Sequence, residues 1–333
     1  MNPAPWLDAP WRRLSAALDA DRLPHALLIT GADGLGKRTL ANALINAALC
    51  ESRSADGRAC GRCRSCKLLA AGTHPDRMLV TFELRDDGKP RVELTVEQIR
   101  RLAQRLALAS QFGGLQLALI DPADAMNANA ANALLKTLEE PNPGTRIVLV
   151  SERPSRLPAT IRSRCQREEL GVPARESAQS WLERQHVDAT LATRALDASL
   201  GNPGLALAWA RDGIVGLRAD CARDLDDLAA GRVNPSALAE TWAGDRVHER
   251  LWFSGVLARD AARRVASGQG ALPNLTAGMQ MSKLSIWFDQ ANRIRSLLDT
   301  PLRTELLLFD LLRSWPLSTR GGERDRQWPA NRA

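Results

Sequence analysis

The sequence has 333 residues, of which 44% are hydrophobic and 25% charged, with a net charge of +7. That length exceeds one compact domain and that apolar share excludes a disordered or fibrous chain, so two or three globular domains are expected. The basic residues are 40 arginines against five lysines, so a lysine inside a motif marks a place where the chain's ordinary cation was not used, while the charge excess alone is compatible with a polyanionic partner but more often reflects a solubilising surface.

Pro3, Pro5, Asp8 and Pro10 come first, with no apolar stretch after them, which argues against a signal peptide and for the cytoplasm. The apolar runs Ala26 to Ile29 and Ile147 to Val150 fall far short of the roughly 20 residues of a membrane helix. Residues 26 to 170 alternate short apolar runs with helical patterns. Strands are predicted at Ala26 to Thr30, Met78 to Phe82, Gln116 to Asp121 and Arg146 to Ser151, without strict alternation, as in a parallel sheet buried on both faces. Helices are predicted at 37 to 49, 95 to 110 and 124 to 140. The second opens on a capping box, Thr95-Val96-Glu97-Gln98, and the third, with Asp124 as its cap, stops at Pro141. The alternation implies a doubly wound α/β domain.

After residue 171 the strand signal ends. Residues 173 to 212 carry short helical patterns around Trp181 and Trp209, broken at Gly201-Asn202-Pro203-Gly204. Helical patterns then return with Trp242, Trp252, Trp287 and Trp315 as expected core anchors, interrupted near 231 to 235 and 268 to 273. The expected division is therefore 1–171, with a cysteine module at 50–66, a helical segment at 172–212, an all-α domain at 213–317, and a tail at 318–333 expected to be disordered.

Directly after the first strand stands Gly31-Ala32-Asp33-Gly34-Leu35-Gly36-Lys37-Arg38-Thr39, a GxxxxGK phosphate loop leading into a helix. Its backbone N–H groups and helix N-terminus suit a phosphate, so Gly31, Gly34, Gly36, Lys37 and Thr39 are the candidate ATP or ADP contacts. Arg38, however, stands where a Ser or Thr would ligate magnesium, and Thr39 is turned away by about 100° along the helix. Asp121 could support a metal, but Pro122 occupies the place of a water-activating carboxylate. Nucleotide binding is compatible with this set and hydrolysis is not expected.

Cys50, Cys60, Cys63 and Cys66 form C-x9-C-x2-C-x2-C, a spacing that brings four thiolates around one structural Zn²⁺. Arg58, Arg62, Arg64 and Lys67 would offset the negative charge. An iron–sulfur cluster is the rival, although the bacterial ferredoxin pattern wants a further cysteine followed by proline. His74 reads as a stand-in ligand or a loop residue.

The phosphate loop followed by the four cysteines, Gly72-Thr73-His74-Pro75-Asp76, the helix end Ala133-Leu134-Leu135-Lys136-Thr137-Leu138-Glu139-Glu140-Pro141, and Thr160-Ile161-Arg162-Ser163-Arg164-Cys165 together resemble the AAA+ subunits of the bacterial DNA polymerase III clamp loader. The likeness covers the first two hundred residues well. The ATP-hydrolysing gamma/tau members have Thr after the lysine, Glu after the strand Asp and an arginine in the lid's Ser-x-Arg-Asp motif; this chain has Arg38, Pro122 and Gly204 there, so it is similar to the family's delta-prime branch. The resemblance implies a P-loop AAA+ domain, a helical lid and a helical collar. It implies a subunit that is not a catalyst alone and lends Arg164 to a neighbour's γ-phosphate as an arginine finger. Arg162 is a weaker candidate, and Ser151 occupies the family's polar sensor position. The implied partners are the gamma/tau and delta subunits and, through the complex, the sliding beta clamp and primed DNA. The alternatives are an active ATPase, marked by steady turnover, and a zinc-dependent DNA-binding module, marked by salt-sensitive DNA affinity that depends on the cysteines.

Overall fold

The two-faced burial of the first strand organises the fold. In β1 (Ala26–Thr30), Ala26 and Leu28 join one core while Leu27 and Ile29 join another on the opposite face. The computed structural model describes residues 4–85, 87–89, 91–267, 281–298 and 302–315, and the chain divides into two compact units, Met1–Ala208 and Trp209–Ala333.

In the first unit, β1, β2 (Arg77–Val80), β3 (Gln116–Ile120), β4 (Thr145–Ser151) and β5 (Gln166–Glu169) form one parallel sheet in the order β2-β3-β4-β1-β5. The α/β class expected from the alternation is therefore present. One face is covered by α1 (Asp8–Asp19) and α2 (Lys37–Ala48), through Trp11, Leu14, Leu40 and Leu44. The other is covered by α4 (Val96–Leu106) and α5 (Ala128–Glu139), which follow the short α3 (Arg64–Ala70), through Ile99, Leu102, Leu134 and Leu138. After α6 (Ala159–Arg162) the chain enters β5 and then the helices α7 (Arg175–Arg184), α8 (Ala189–Ala198) and α9 (Pro203–Arg211).

The capping box at the start of α4 is present: the Thr95 N–H donates to Gln98 Oε1 at 2.9 Å. The next helix starts later than expected. Asn127, whose side chain accepts from the Ala130 N–H, caps α5, and Asp124 instead accepts the Glu152 N–H at 3.1 Å. A carboxylate three residues early could not reach the first helical amides, and it ties the end of β4 to the β3 loop instead.

The second unit contains α10 (Leu217–Ala229), α11 (Pro235–Gly244), α12 (Val247–Ala266), α13 (Met281–Leu297) and α14 (Thr304–Arg313). Trp242, Trp287 and Trp315 are buried, as expected of core anchors; Trp252 is half-buried. The Trp242 indole N–H donates to Asp224 at 2.8 Å, and buried Arg250 pairs with Asp224 at 3.3 Å and with Asp245 at 3.0 Å. One carboxylate thus satisfies donors from two other helices, which a buried polar group requires. Trp287 donates to the Leu311 carbonyl and meets Trp315 edge-on with ring centroids 4.7 Å apart. The break at 268 to 273 and the tail at 318–333 lie outside the described residues. Among the described residues no helix is long and apolar enough to cross a membrane.

Candidate functional site

The phosphate loop joins β1 to α2. Gly31, Gly34 and Gly36 all have positive φ, at +145°, +81° and +90°. Leu35 is buried, and its carbonyl accepts the Trp6 indole N–H at 2.9 Å, so the loop is fixed from the N-terminal side. Lys37 is only 3% exposed and its amino group donates to the loop's own Ala32 carbonyl at 2.7 Å. Burial pulls the Lys37 pKa below the usual lysine value, against the opposing pull of Glu152 and Asp33.

Arg38 is the centre of the loop's electrostatics. Its Nε donates to Asp121 at 2.7 Å, and its other nitrogens lie 3.8 Å from Asp33 and 3.8 Å from Glu152. Glu152 in turn lies 3.9 Å from Lys37, and burial, reinforced by Asp33, raises its carboxyl pKa above the ordinary range. A guanidinium therefore occupies the carboxylate cluster on which a divalent cation would depend, and it cannot serve as a metal ligand. Thr39 is exposed on α2, and the ion pairs of this network do not include it among the described residues.

The turn before α9 closes over the loop. The Asn202 side chain donates to the Asp33 carbonyl at 2.6 Å, and its oxygen accepts the N–H groups of Gly204 and Leu205. A Cβ placed on Gly204 would lie 2.1 Å from the Gly34 carbonyl oxygen, a backbone atom that cannot swing aside. This approach leaves no room for an arginine side chain at this position. Gly204→Ala is expected to cost about 1–3 kcal/mol by overpacking. Thermal unfolding would check it, and an unchanged Tm would show that the contact yields freely.

The four cysteines form a second centre. Their sulfurs all lie within 4.8 Å of one another, with Cys50–Cys63 and Cys60–Cys66 at 3.9 Å and Cys50–Cys66 at 3.6 Å. Four thiolates about 2.3 Å from one tetrahedral ion would stand about 3.8 Å apart, whereas a disulfide bond is about 2.05 Å. The N–H groups of Cys60, Cys63 and Cys66 point at the sulfurs of Cys50, Cys60 and Cys63, at 3.3, 3.4 and 3.4 Å. Such amide donors stabilise thiolate charge, so the donor set fits a metal ion. Hydrogen bonds from Arg62 and Cys63 pull the Cys60 thiol down to about 6, while burial pushes Cys66 up to about 12.

His74 is not a fifth member of this set. It is buried, its Nε2 is 2.8 Å from the Ser65 hydroxyl, its Nδ1 accepts the Asp76 N–H at 3.1 Å, and its ring lies against Phe112. It braces α3 against the sheet; Asp76 continues the brace by accepting from Ser110, Gln111 and Phe112.

Arg164 lies between α6 and the edge strand β5. Its neighbour Cys165 packs on the core, while its guanidinium is partly exposed, donating to the Thr160 carbonyl at 2.9 Å and pairing with Glu139 at 2.5 Å. Arg162 is exposed at the end of α6. Ser151 is buried at the end of β4 and its hydroxyl has no hydrogen-bond partner among the described residues. Asp33, Glu139, Glu152 and Asn202 were not singled out as functional from the sequence. The roles of Glu139, Glu152 and Asn202 rest on partners distant along the chain and carry no local pattern, while Asp33 pairs with Arg38 inside the loop itself.

The chain is similar to known proteins over most of its length. The model of the family described as "DNA polymerase III, delta subunit" matches residues 7–173. A Pseudomonas aeruginosa protein named DNA polymerase III subunit delta' is 39% identical over 72% of this chain and 70% of its own. A Yersinia pestis protein of the same name is 31% identical over 95% of this chain and 96% of its own. A solved gamma-subunit-related protein of Thermotoga maritima covers 91% of this chain and 97% of its own at TM-score 0.43 and 16% identity.

Proposed function

The chain belongs to the delta-prime family of DNA polymerase III subunits, and from that premise we propose that it is the non-hydrolytic member of a clamp loader. In this reading it joins gamma/tau and delta subunits in the cytoplasm. It offers Arg164 to a neighbour's ATP and, through the complex, helps place the sliding beta clamp on primed DNA.

The observation that carries the non-hydrolytic part is Arg38. With its guanidinium 2.7 Å from Asp121 and 3.8 Å from Glu152, the carboxylates of a magnesium site are already neutralised by the chain itself. Lys37 is committed to Ala32, and Pro122 supplies no base. A nucleotide would have to displace the Lys37 bond and would meet a fixed cation that holds no water for attack.

The finger part rests on Arg164. A planar guanidinium spans two phosphate oxygens and stabilises the charge that spreads over the transferring phosphoryl group. Arg164 sits on a core-anchored turn with its charged end partly exposed, and so suits donation in trans. Zn²⁺ is the proposed occupant of Cys50, Cys60, Cys63 and Cys66, where it would cross-link the module structurally.

Co-purification with gamma/tau and delta subunits, followed by ATP turnover of the isolated chain, tests the reading. We expect a stable complex and no magnesium-dependent hydrolysis by the pure subunit. Arg38→Thr alone should not create an ATPase, because the base is still missing. Steady turnover by the wild-type chain would make it a motor, and failure to join the other subunits would remove the loader assignment.

A further inference from the structure

The guanidinium of Arg164 is held between two acceptors. One nitrogen donates to the Thr160 carbonyl at 2.9 Å and another meets Glu139 Oε1 at 2.5 Å. Both acceptors are rigidly mounted. Glu139 is the last residue of α5, directly after the buried Leu138, and Thr160 precedes the buried Ile161 in α6. Leu138 and Ile161 belong to one hydrophobic core, on which Cys165 also packs. The pair therefore links two core-anchored helix ends through one flexible side chain.

An exposed arginine ordinarily samples many rotamers and loses that freedom when it engages a phosphate. Here two of its five N–H donors are already used and the remainder are presented in a fixed orientation. We propose that Glu139 is a positioning residue for Arg164, which holds the guanidinium ready for a neighbouring subunit's triphosphate. The proposal rests on the reading of Arg164 as a finger in trans. Glu139 touches neither nucleotide nor reacting atoms, so its effect on the reaction passes through Arg164. Preorganisation of this kind acts on the transition state and so on kcat.

The test uses the assembled loader, with clamp and primed DNA present, and compares Glu139→Ala, Glu139→Gln, Arg164→Ala and the double variant Arg164→Ala/Glu139→Ala. Glu139→Ala should lower kcat about tenfold, equivalent to about 1.4 kcal/mol of orientation, and leave the KM for ATP near its wild-type value. Glu139→Gln keeps an acceptor without the charge and should fall between wild type and Glu139→Ala. In the Arg164→Ala background the loss of Glu139 should add nothing, because the two act as one unit. All four variants should assemble, since both side chains are on the surface.

A wild-type or raised kcat in Glu139→Ala, with Arg164→Ala still defective, overturns the positioning role and spares the finger. Additive losses in the double variant also overturn it. An Arg164→Ala loader with full activity overturns the finger itself and the positioning role with it.

Discussion

Arg164→Ala is expected to leave the subunit folded and able to join its complex while sharply lowering DNA- and clamp-stimulated ATP hydrolysis by the assembled loader. The ion pair it loses is a surface pair with the Arg164 side chain 36% exposed and that of Glu139 50% exposed. Exposed pairs of this kind contribute about 0–1 kcal/mol, too little to unfold a domain whose core lies elsewhere. The rate effect is on another scale: a finger that stabilises the phosphoryl transition state contributes roughly 10³ to 10⁵ at the site it serves. The measured loss will be smaller if other sites in the ring continue to turn over. Arg164→Lys should not rescue, because a point charge lacks the planar fork. Lys37→Ala is the matching control and should barely change turnover, since this amino group is engaged by Ala32. A loader that loses activity with Lys37→Ala and tolerates Arg164→Ala would reverse the assignment and make this chain a motor.

How much of this was legible in the sequence follows from which contacts are local. β1, β3 and β4 are buried on both faces and read as unbroken apolar runs, and each was found to within a residue or so. β5, Gln166-Arg167-Glu168-Glu169, gave no signal, because an edge strand held by backbone pairing to β1 needs no apolar side chains and is protected from further pairing by its charges. α3 was hidden for a different reason. Cys63 to Cys66 were read for their ligand spacing, yet the same residues form a helix start in which the Cys63 sulfur accepts the Cys66 N–H as its cap. The glycines of the phosphate loop announced its shape; the Asn202 to Asp33 bond that closes it spans 169 residues. Glu152 was likewise invisible, and Glu139 stood in the quoted helix-end motif without an assigned role. A lone carboxylate acquires meaning only when the fold brings it to Lys37 and Arg38, or to Arg164.

Removing the proposed zinc is expected to unfold residues 50–66 while the sheet remains. Two sets of contacts hold this module, and only one depends on an ion. The first is ordinary packing and hydrogen bonding. Trp11 donates to the Asp56 carbonyl at 3.0 Å, the Arg58 guanidinium lies over the Trp11 ring, Ser65 donates its N–H to Glu51, and His74 braces Ser65 from the sheet side. The second is the thiolate cluster itself. Without a cation, two neighbouring thiolates would repel, and Cys66, pushed up to about 12, would stay protonated at neutral pH while Cys60, near 6, would be mostly ionised. Filling the site must therefore release a proton from Cys66, so zinc affinity should tighten as pH rises and weaken on acidification, as protons compete for the sulfurs. Four-thiolate zinc supplies about 10–16 kcal/mol in isolated small modules, comparable with or larger than the whole stability of a typical domain. Cys63→Ser deletes one thiolate ligand while its hydroxyl can still cap α3, so it should release the metal and expose 50–66 to proteolysis and hydrogen exchange. Ser65, through its bond to His74, should limit the damage to that module. Metal analysis should find one zinc per wild-type chain and none in Cys63→Ser, with amide protection in β1 and β4 retained. Iron in the wild-type protein, a folded metal-free wild type, or loss of the whole sheet in Cys63→Ser would each refute this account of the site.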